Sequence, residues 1–151
     1  MKLAYSSLRM DQPNQPVPPN EAAAVRQRCS ELREALLHIH KALVDSERVS
    51  YESTMGPIQS PGQFLQLLTR DPWFAWLQPL SQLIVAIDEA LDAKEPLTSA
   101  LVDSLEKQAN LLLMASETGE GFAKHFYEAL QRDPDVVLAQ AGMAKLRKPQ
   151  K

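Results

Sequence analysis

Cysteine and glycine are scarce in this chain, and their scarcity removes several classes of protein. Cys29 is the single cysteine among 151 residues, so neither an intrachain disulfide nor a thiolate zinc site can form. It also has no histidine within two helical turns that would activate it as a nucleophile, and the chain has no Gly-x-Ser-x-Gly motif. Among five glycines, Gly119-Glu120-Gly121 is only a weak signal of a phosphate-binding loop, because no strand precedes it.

Histidine is also rare, which limits metal chemistry. With three histidines, the chain cannot build a five-histidine oxygen-carrier site, and the Glu-x-x-His motif of di-iron bundles is absent. The spacings that do occur are Glu34-x-x-x-His38 and His125-x-x-Glu128, both predicted to lie on polar helix faces. We therefore assign no metal ligands and no cofactor, and a metal-binding bundle is the weakest alternative.

The chain lacks a strong charge of either sign and any long apolar run. A net charge of −3 gives little attraction to nucleic acid or to acidic membranes. No segment approaches the roughly 18 apolar residues of a membrane span, and the first ten residues lack the apolar run of a signal peptide. We therefore expect a cytoplasmic protein without nucleic-acid or membrane partners.

The most informative pattern is one long amphipathic helix from about Asn20 to Met55. Apolar residues recur in alternating steps of four and three, which is typical of a helix that packs against other helices. Asn20 suits the N-cap, and Gly56-Pro57 ends the helix. The residues of this apolar seam are Val25, Cys29, Leu32, Leu36, Ile39 and Leu43.

The remaining apolar repeats predict further helices. Ser60-Pro61, Asp71-Pro72, Thr98 and Asp133-Pro134 are typical helix starts, and Pro79 is expected to bend the helix that begins at Pro72. We predict an all-α fold: an antiparallel helical bundle of four main helices plus short extra helices, with a long first helix. Residues 1–19 are interpreted as a flexible Pro-rich N-terminal arm, 20–148 as a single helical-bundle domain, and 149–151 as a basic tail.

Polar residues interrupt the seam of the long helix. His40, Glu47 and Tyr51 lie on or beside the face that should be buried, and a buried carboxylate is costly unless it is paired or neutral. Tyr51 is one turn past Glu47, within reach of a direct or water-bridged bond. These groups either satisfy one another and the facing backbone, or form a ligand site, a subunit contact or a metal site. Our candidate ligand-binding residues are His40, Glu47, Tyr51 and Trp76.

An aromatic cluster, Trp73-Phe74-Ala75-Trp76-Leu77, contains more large apolar side chains than one face of one helix can bury. It serves either the core alone or the core and an interface. The Leu111–Met114 segment is apolar on all sides and is expected to be deeply buried or to meet another subunit. The candidate interface residues are Trp73, Phe74, Leu111 and Met114.

Several segments resemble a family of small bacterial all-helical proteins of unknown function. They are Leu37-His-Ile-His-Lys-Ala-Leu-Val-Asp-Ser-Glu47, Ser60-Pro-Gly-Gln-Phe-Leu65, Asp71-Pro-Trp-Phe-Ala-Trp-Leu-Gln-Pro-Leu80 and the stretch 122–134, about half of the chain. The resemblance implies a bacterial source and a helical fold, and it implies no catalytic residues.

Taken together, these patterns favour a non-catalytic binding or protein-interaction module that forms a homodimer. The alternative is a small-molecule-binding protein or an enzyme with a bundle pocket lined by His40, Glu47, Tyr51 and Trp76. In an enzyme, Glu47 and His40 would perform acid–base chemistry.

Overall fold

The computed structural model describes residues 19–147, and within this range every regular element is helical. The prediction of an all-α fold with a long first helix is confirmed. The predicted tail 149–151, and the predicted arm except for its last residue, lie outside the described residues. The elements are α1 (Pro19–Met55), α2 (Pro61–Arg70), a 3₁₀ helix (Pro72–Leu77), α3 (Gln78–Asp92), α4 (Ser99–Leu112), α5 (Phe122–Arg132) and α6 (Pro134–Arg147).

Helix α1 carries the continuous apolar seam around which the other elements pack. It contains 37 residues, which corresponds to a length of roughly 55 Å. From Cys29 to Leu43 the seam is at most 1% exposed. The helix contacts α3, α4, α6 and the 3₁₀ helix, so one face of α1 is shared by most of the fold.

Side-chain caps set the starts of the shorter helices. The Ser60 hydroxyl accepts the Gln63 N–H at 3.1 Å, and Thr98 accepts the Leu101 N–H at 3.1 Å, as the sequence predicts. The Gln63 side chain accepts the N–H of Gln59 at 2.6 Å instead of that of Ser60. The reciprocal bond of a capping box is therefore displaced by one residue.

Pro79 does not bend a single helix. The segment that follows Asp71 is divided into the 3₁₀ helix, which ends at Leu77, and α3, which begins at Gln78. Pro79 consequently lies in the first turn of α3, where a backbone N–H has no acceptor within the helix. The absence of this N–H in proline therefore costs no hydrogen bond. The prediction of a bent continuous helix is corrected to two helices that meet just before this proline.

The contacts along α1 show the direction of its neighbours. Arg26, near the start of α1, donates to the carbonyl of Leu91 at 3.1 Å, whereas His40 lies 3.0 Å from the hydroxyl of Ser81. Because positions on α3 fall in number as those on α1 rise, the two helices run in opposite directions. This pairing alone does not establish an antiparallel bundle of four main helices, so that bundle stays a prediction. The assignment of a single domain also stays a prediction.

None of the helices within residues 19–147 combines the length and the apolar character that a membrane crossing requires.

Candidate functional site

Glu47 is a buried carboxylate on α1 that two other elements of the fold neutralise and hydrogen-bond. It is 7% exposed. Its Oε1 accepts from Nη2 of Arg132, on α5, at 2.7 Å, and its Oε2 accepts from the indole Nε1 of Trp73, on the 3₁₀ helix, at 2.8 Å. Arg132 also donates from Nε to the hydroxyl of Ser46 at 3.0 Å. The cost of burying the carboxylate is thus offset by a charge and by two hydrogen bonds.

Local sequence explains why Trp73 and Arg132 reach Glu47. Asp71 accepts the backbone N–H of Trp73 at 2.8 Å, and Pro72 occupies the first position of the 3₁₀ helix, so the indole is presented two residues after the cap. Arg132 is the last residue of α5, since Asp133 caps that helix end with its N–H bonded to Ala129. Both side chains therefore project from helix ends toward Glu47, in the C-terminal third of α1.

An open cleft of about 360 Å³ lies beside this ion pair. The Trp76 ring stacks on the imidazole of His125, with 5.0 Å between centroids and 17° between planes, and it also contacts Phe122 at 5.3 Å. The indole Nε1 of Trp76 is buried, and it has no hydrogen-bond partner among the described residues. The lining residues are Glu47, Ser50, Pro72, Trp73, Trp76, His125 and Arg132.

Two of the four predicted ligand-binding residues, Glu47 and Trp76, meet in this cleft. His40 does not line it, because its Nε2 lies beside the Ser81 hydroxyl on α3, and burial lowers the pKa of this imidazole from its ordinary value of 6.5. Tyr51 packs its ring against Trp73 and Phe74, at 5.4 and 5.5 Å between centroids. A binding role for these residues stays a prediction.

Arg132 and His125 are site residues that the sequence patterns did not identify. The location of Glu47 on the apolar seam indicates that a cation should lie near it. The sequence pattern does not indicate which residue supplies this cation, because 85 residues separate Arg132 from Glu47. Arg132 belongs to the Arg132-Asp133-Pro134 junction, which we interpreted only as a helix cap. His125 was placed on a polar face, and it is exposed beside Trp76.

The predicted interface residues have different surroundings. Phe74 is fully buried, packed between Tyr51 and Phe64, so the prediction that it contacts another subunit is corrected: no part of the ring is accessible. Trp73 is half-buried. Leu111 is 60% exposed and Met114 is 64% exposed, so these two side chains remain accessible to a partner.

Within residues 19–147, no cluster of three or more histidine, cysteine, aspartate or glutamate side chains is arranged to hold a metal ion.

Comparison with protein-family models, with curated proteins and with solved structures found no match to the chain.

Replacement of Arg132 tests the pairing of Glu47. Arg132→Met should lower the free energy of unfolding by about 2–4 kcal/mol, because it leaves a buried carboxylate without its cation while Arg132 itself is partly exposed. In a Glu47→Gln background the same replacement should cost at least about 1 kcal/mol less, since no charge remains to be compensated. Urea unfolding of the wild type, the two single variants and the double variant measures the cost of Arg132→Met in both backgrounds.

The exposed Arg70 provides the matched control, and Arg70→Met should change stability by less than about 0.5 kcal/mol. Equal costs of Arg132→Met in the two backgrounds would contradict a coupled pair.

The half-buried imidazole of His40 predicts a pH-dependent stability. Because burial lowers its pKa in the folded state from 6.5, the unfolded chain takes up a proton first as the pH falls. Stability should therefore be fully present above pH 6.5 and should fall below it, by no more than about 1.4 kcal/mol per pH unit for one proton. The loss ends once the folded state is also protonated.

Urea unfolding at about pH 7.5 and about pH 5.5 measures this dependence. His40→Gln should show a shallower fall than the wild type, and His38→Gln, at an exposed position, should not. Identical pH profiles of the wild type and His40→Gln would refute the assignment.

Proposed function

We propose that this chain is a non-catalytic binding or protein-interaction module that works as a homodimer. The observation that carries the proposal is the exposure of large apolar side chains at the end of α4 and on α6: Leu111 at 60%, Met114 at 64% and Leu138 at 70%. Single exposed apolar residues are ordinary, but Leu111, in the last turn of α4, and Met114, two residues after its end, line the same groove and form one exposed apolar face. Such a face is typical of a contact surface.

The surface around Leu111 and Met114 suits a protein partner. These side chains line an open groove of about 530 Å³ along the C-terminal part of α4 and the residues just after it. Methionine is flexible and adapts to differently shaped apolar partners. The polar rim, which includes Asp103, Glu106 and Lys107, resembles the rim of transient interfaces.

The surroundings of Glu47 support an architectural rather than a catalytic role for this carboxylate. One oxygen accepts from Arg132 and the other from Trp73. Both oxygens are therefore engaged in contacts with other elements, which is a structural use of the carboxylate. We therefore propose that Glu47 ties α1 to the 3₁₀ helix and α5.

We further propose that α1, α3, α4 and α6 are the four main helices of an antiparallel bundle. The opposed direction of α1 and α3 supports this arrangement. We also propose a cytoplasmic location, and the weak net charge of −3 supports binding to other proteins rather than to nucleic acid or membranes. On the basis of the resemblance to small bacterial helical proteins, we also propose that this chain has a bacterial source.

Self-association is tested by sedimentation equilibrium of the wild-type chain. The average mass should rise with concentration from 16.9 kDa toward twice that value, because burying exposed leucine and methionine side chains between two copies is favourable. A mass that stays at 16.9 kDa over the whole micromolar range would contradict a homodimer.

A second candidate function is small-molecule binding at the cleft beside Glu47. Arg132 uses Nε and Nη2 for its two bonds, so a guanidinium with five N–H donors retains donor capacity. Trp76 contributes its ring to the lining of the cleft. A small aromatic carboxylate would stack on this ring and accept from the remaining N–H donors of Arg132.

Benzoate is a suitable probe of this cleft. Its addition at millimolar concentration should shift the indole N–H resonance of Trp76 in a proton–nitrogen NMR spectrum, because the ring of benzoate would stack on the indole while its carboxylate accepts from Arg132. Benzyl alcohol, which lacks the charge, is the control and should shift it less. An unmoved Trp76 resonance with benzoate would eliminate this candidate.

A further inference from the structure

Helix α2 is the one helix of the described chain that contains no buried residue. Its apolar side chains Phe64, Leu67 and Leu68 reach the edge of the core and are only partly buried, and Leu65 is 62% exposed. Its main tertiary neighbour is the 3₁₀ helix that follows it in the chain. Helix α2 therefore covers part of the core without contributing a buried residue to it.

The turn before α2 contains a buried residue that is separate from the core. Ile58 is 8% exposed, and in the described part of the chain it is the one buried apolar side chain outside the continuous core cluster. Its N–H donates to Oε2 of Glu52, on α1, at 2.9 Å. The turn is joined to α2 by side-chain caps, since Ser60 accepts from Gln63 and Gln63 accepts from Gln59. The turn and α2 thus hold together through bonds of their own.

Both ends of the segment 57–70, which we name the lid, lie at breaks between helices. Gly56 separates the lid from α1 and has a φ of +100°, a conformation that suits glycine. At the other end, the N–H of Asp71 bonds to the carbonyl of Leu67 in α2, whereas its carboxylate accepts the N–H of Trp73 in the 3₁₀ helix. Rotation at these two junctions would move the lid and leave α1 and the 3₁₀ helix intact.

Phe64 connects the lid to the rest of the fold through two contacts. Its ring meets that of Phe74 edge-on, with 6.0 Å between centroids and 72° between planes. The guanidinium carbon of Arg48, on α1, lies 4.7 Å from the centroid of Phe64. Both Arg48 and Phe64 are partly exposed, so these contacts stabilise the closed lid less than the burial of whole side chains stabilises the core.

We propose that the lid opens as a unit while α1 and the elements packed on it stay folded. Segments with few buried apolar contacts open at a lower free energy than the whole molecule unfolds, and the lid has few. Opening removes Phe64 from the ring of Phe74, which is fully buried in the structure, and gives water access to one side of that ring. Tyr51, which packs against Phe74 from α1, remains in place. The lid is thus a conformational device that covers an aromatic surface, and it requires neither the homodimer nor a ligand.

Native-state hydrogen exchange of the full chain tests whether the lid opens separately. Protection factors of the amides from Leu65 to Arg70 should be at least about 100-fold lower than those from Leu36 to Leu43, because lid opening leaves the core closed. Low concentrations of urea should reduce the α2 protection factors with no more than about a third of the slope seen for α1, because lid opening exposes little surface. Equal protection, or equal slopes, would overturn the proposal.

Ile87→Val separates lid opening from a general loss of stability. Ile87 is fully buried on α3, next to Asp88, which pairs with Arg33 of α1. This pairing lies roughly 22 Å along α1 from Arg48, so the contacts of Ile87 are the same whether the lid is closed or open. The variant should lower the α1 protection factors by about threefold to tenfold, because one buried methylene is lost, and should change the α2 protection factors by less than about 1.5-fold. A parallel loss in both helices would refute the lid.

Phe64→Ala tests the contact that closes the lid. The exchange rates of the α2 amides should rise by at least about fivefold, because the variant loses the contacts with Phe74 and Arg48. Leu65→Ala, at the adjacent exposed position, is the matched control and should change these rates by less than about twofold. Equal effects of the two replacements would contradict the assignment of Phe64 as this contact.

Discussion

The fold depends on the burial of one continuous apolar face of α1. Seam residues from Cys29 to Leu43 are almost inaccessible to water, and α3, α4, α6 and the 3₁₀ helix all contact the helix that carries them. Most of the stability of a helix in a protein comes from the packing of its apolar face rather than from intrinsic propensity. The remaining helices attach to this layer: α2 contacts the 3₁₀ helix, and α5 contacts the 3₁₀ helix and α6. The position of the seam therefore sets the positions of its four direct neighbours.

Glu47 is the point at which this face ceases to be apolar, and the candidate cleft follows from it. A carboxylate in the seam requires a cation, and Arg132 supplies it from the last residue of α5. Trp73 completes the hydrogen bonding from the 3₁₀ helix. The requirement to satisfy one side chain thus draws three elements together and leaves Trp76 and His125 at the edge of an open cleft.

Local features of the fold were predictable from sequence, and long-range pairings were not. The seam, the Ser60 and Thr98 caps and the end of α1 depend on neighbouring residues, so their patterns were sufficient. Pro79 was misinterpreted because a proline in a first turn and one in a helix interior look alike until the preceding helix end is known. Arg132 escaped notice because its partner is distant in sequence, and the burial of Phe74 depended on how Tyr51 and Phe64 pack.

Native-state hydrogen exchange along α1 tests the central claim most directly, because it measures the stability of each part of the seam separately. If one continuous buried face organises the fold, the amides from Leu32 to Leu43 exchange only when the whole molecule unfolds, and they share one opening free energy. That value equals the free energy of unfolding obtained with denaturant. Two groups of amides within this segment, opening independently and at different free energies, would contradict the account.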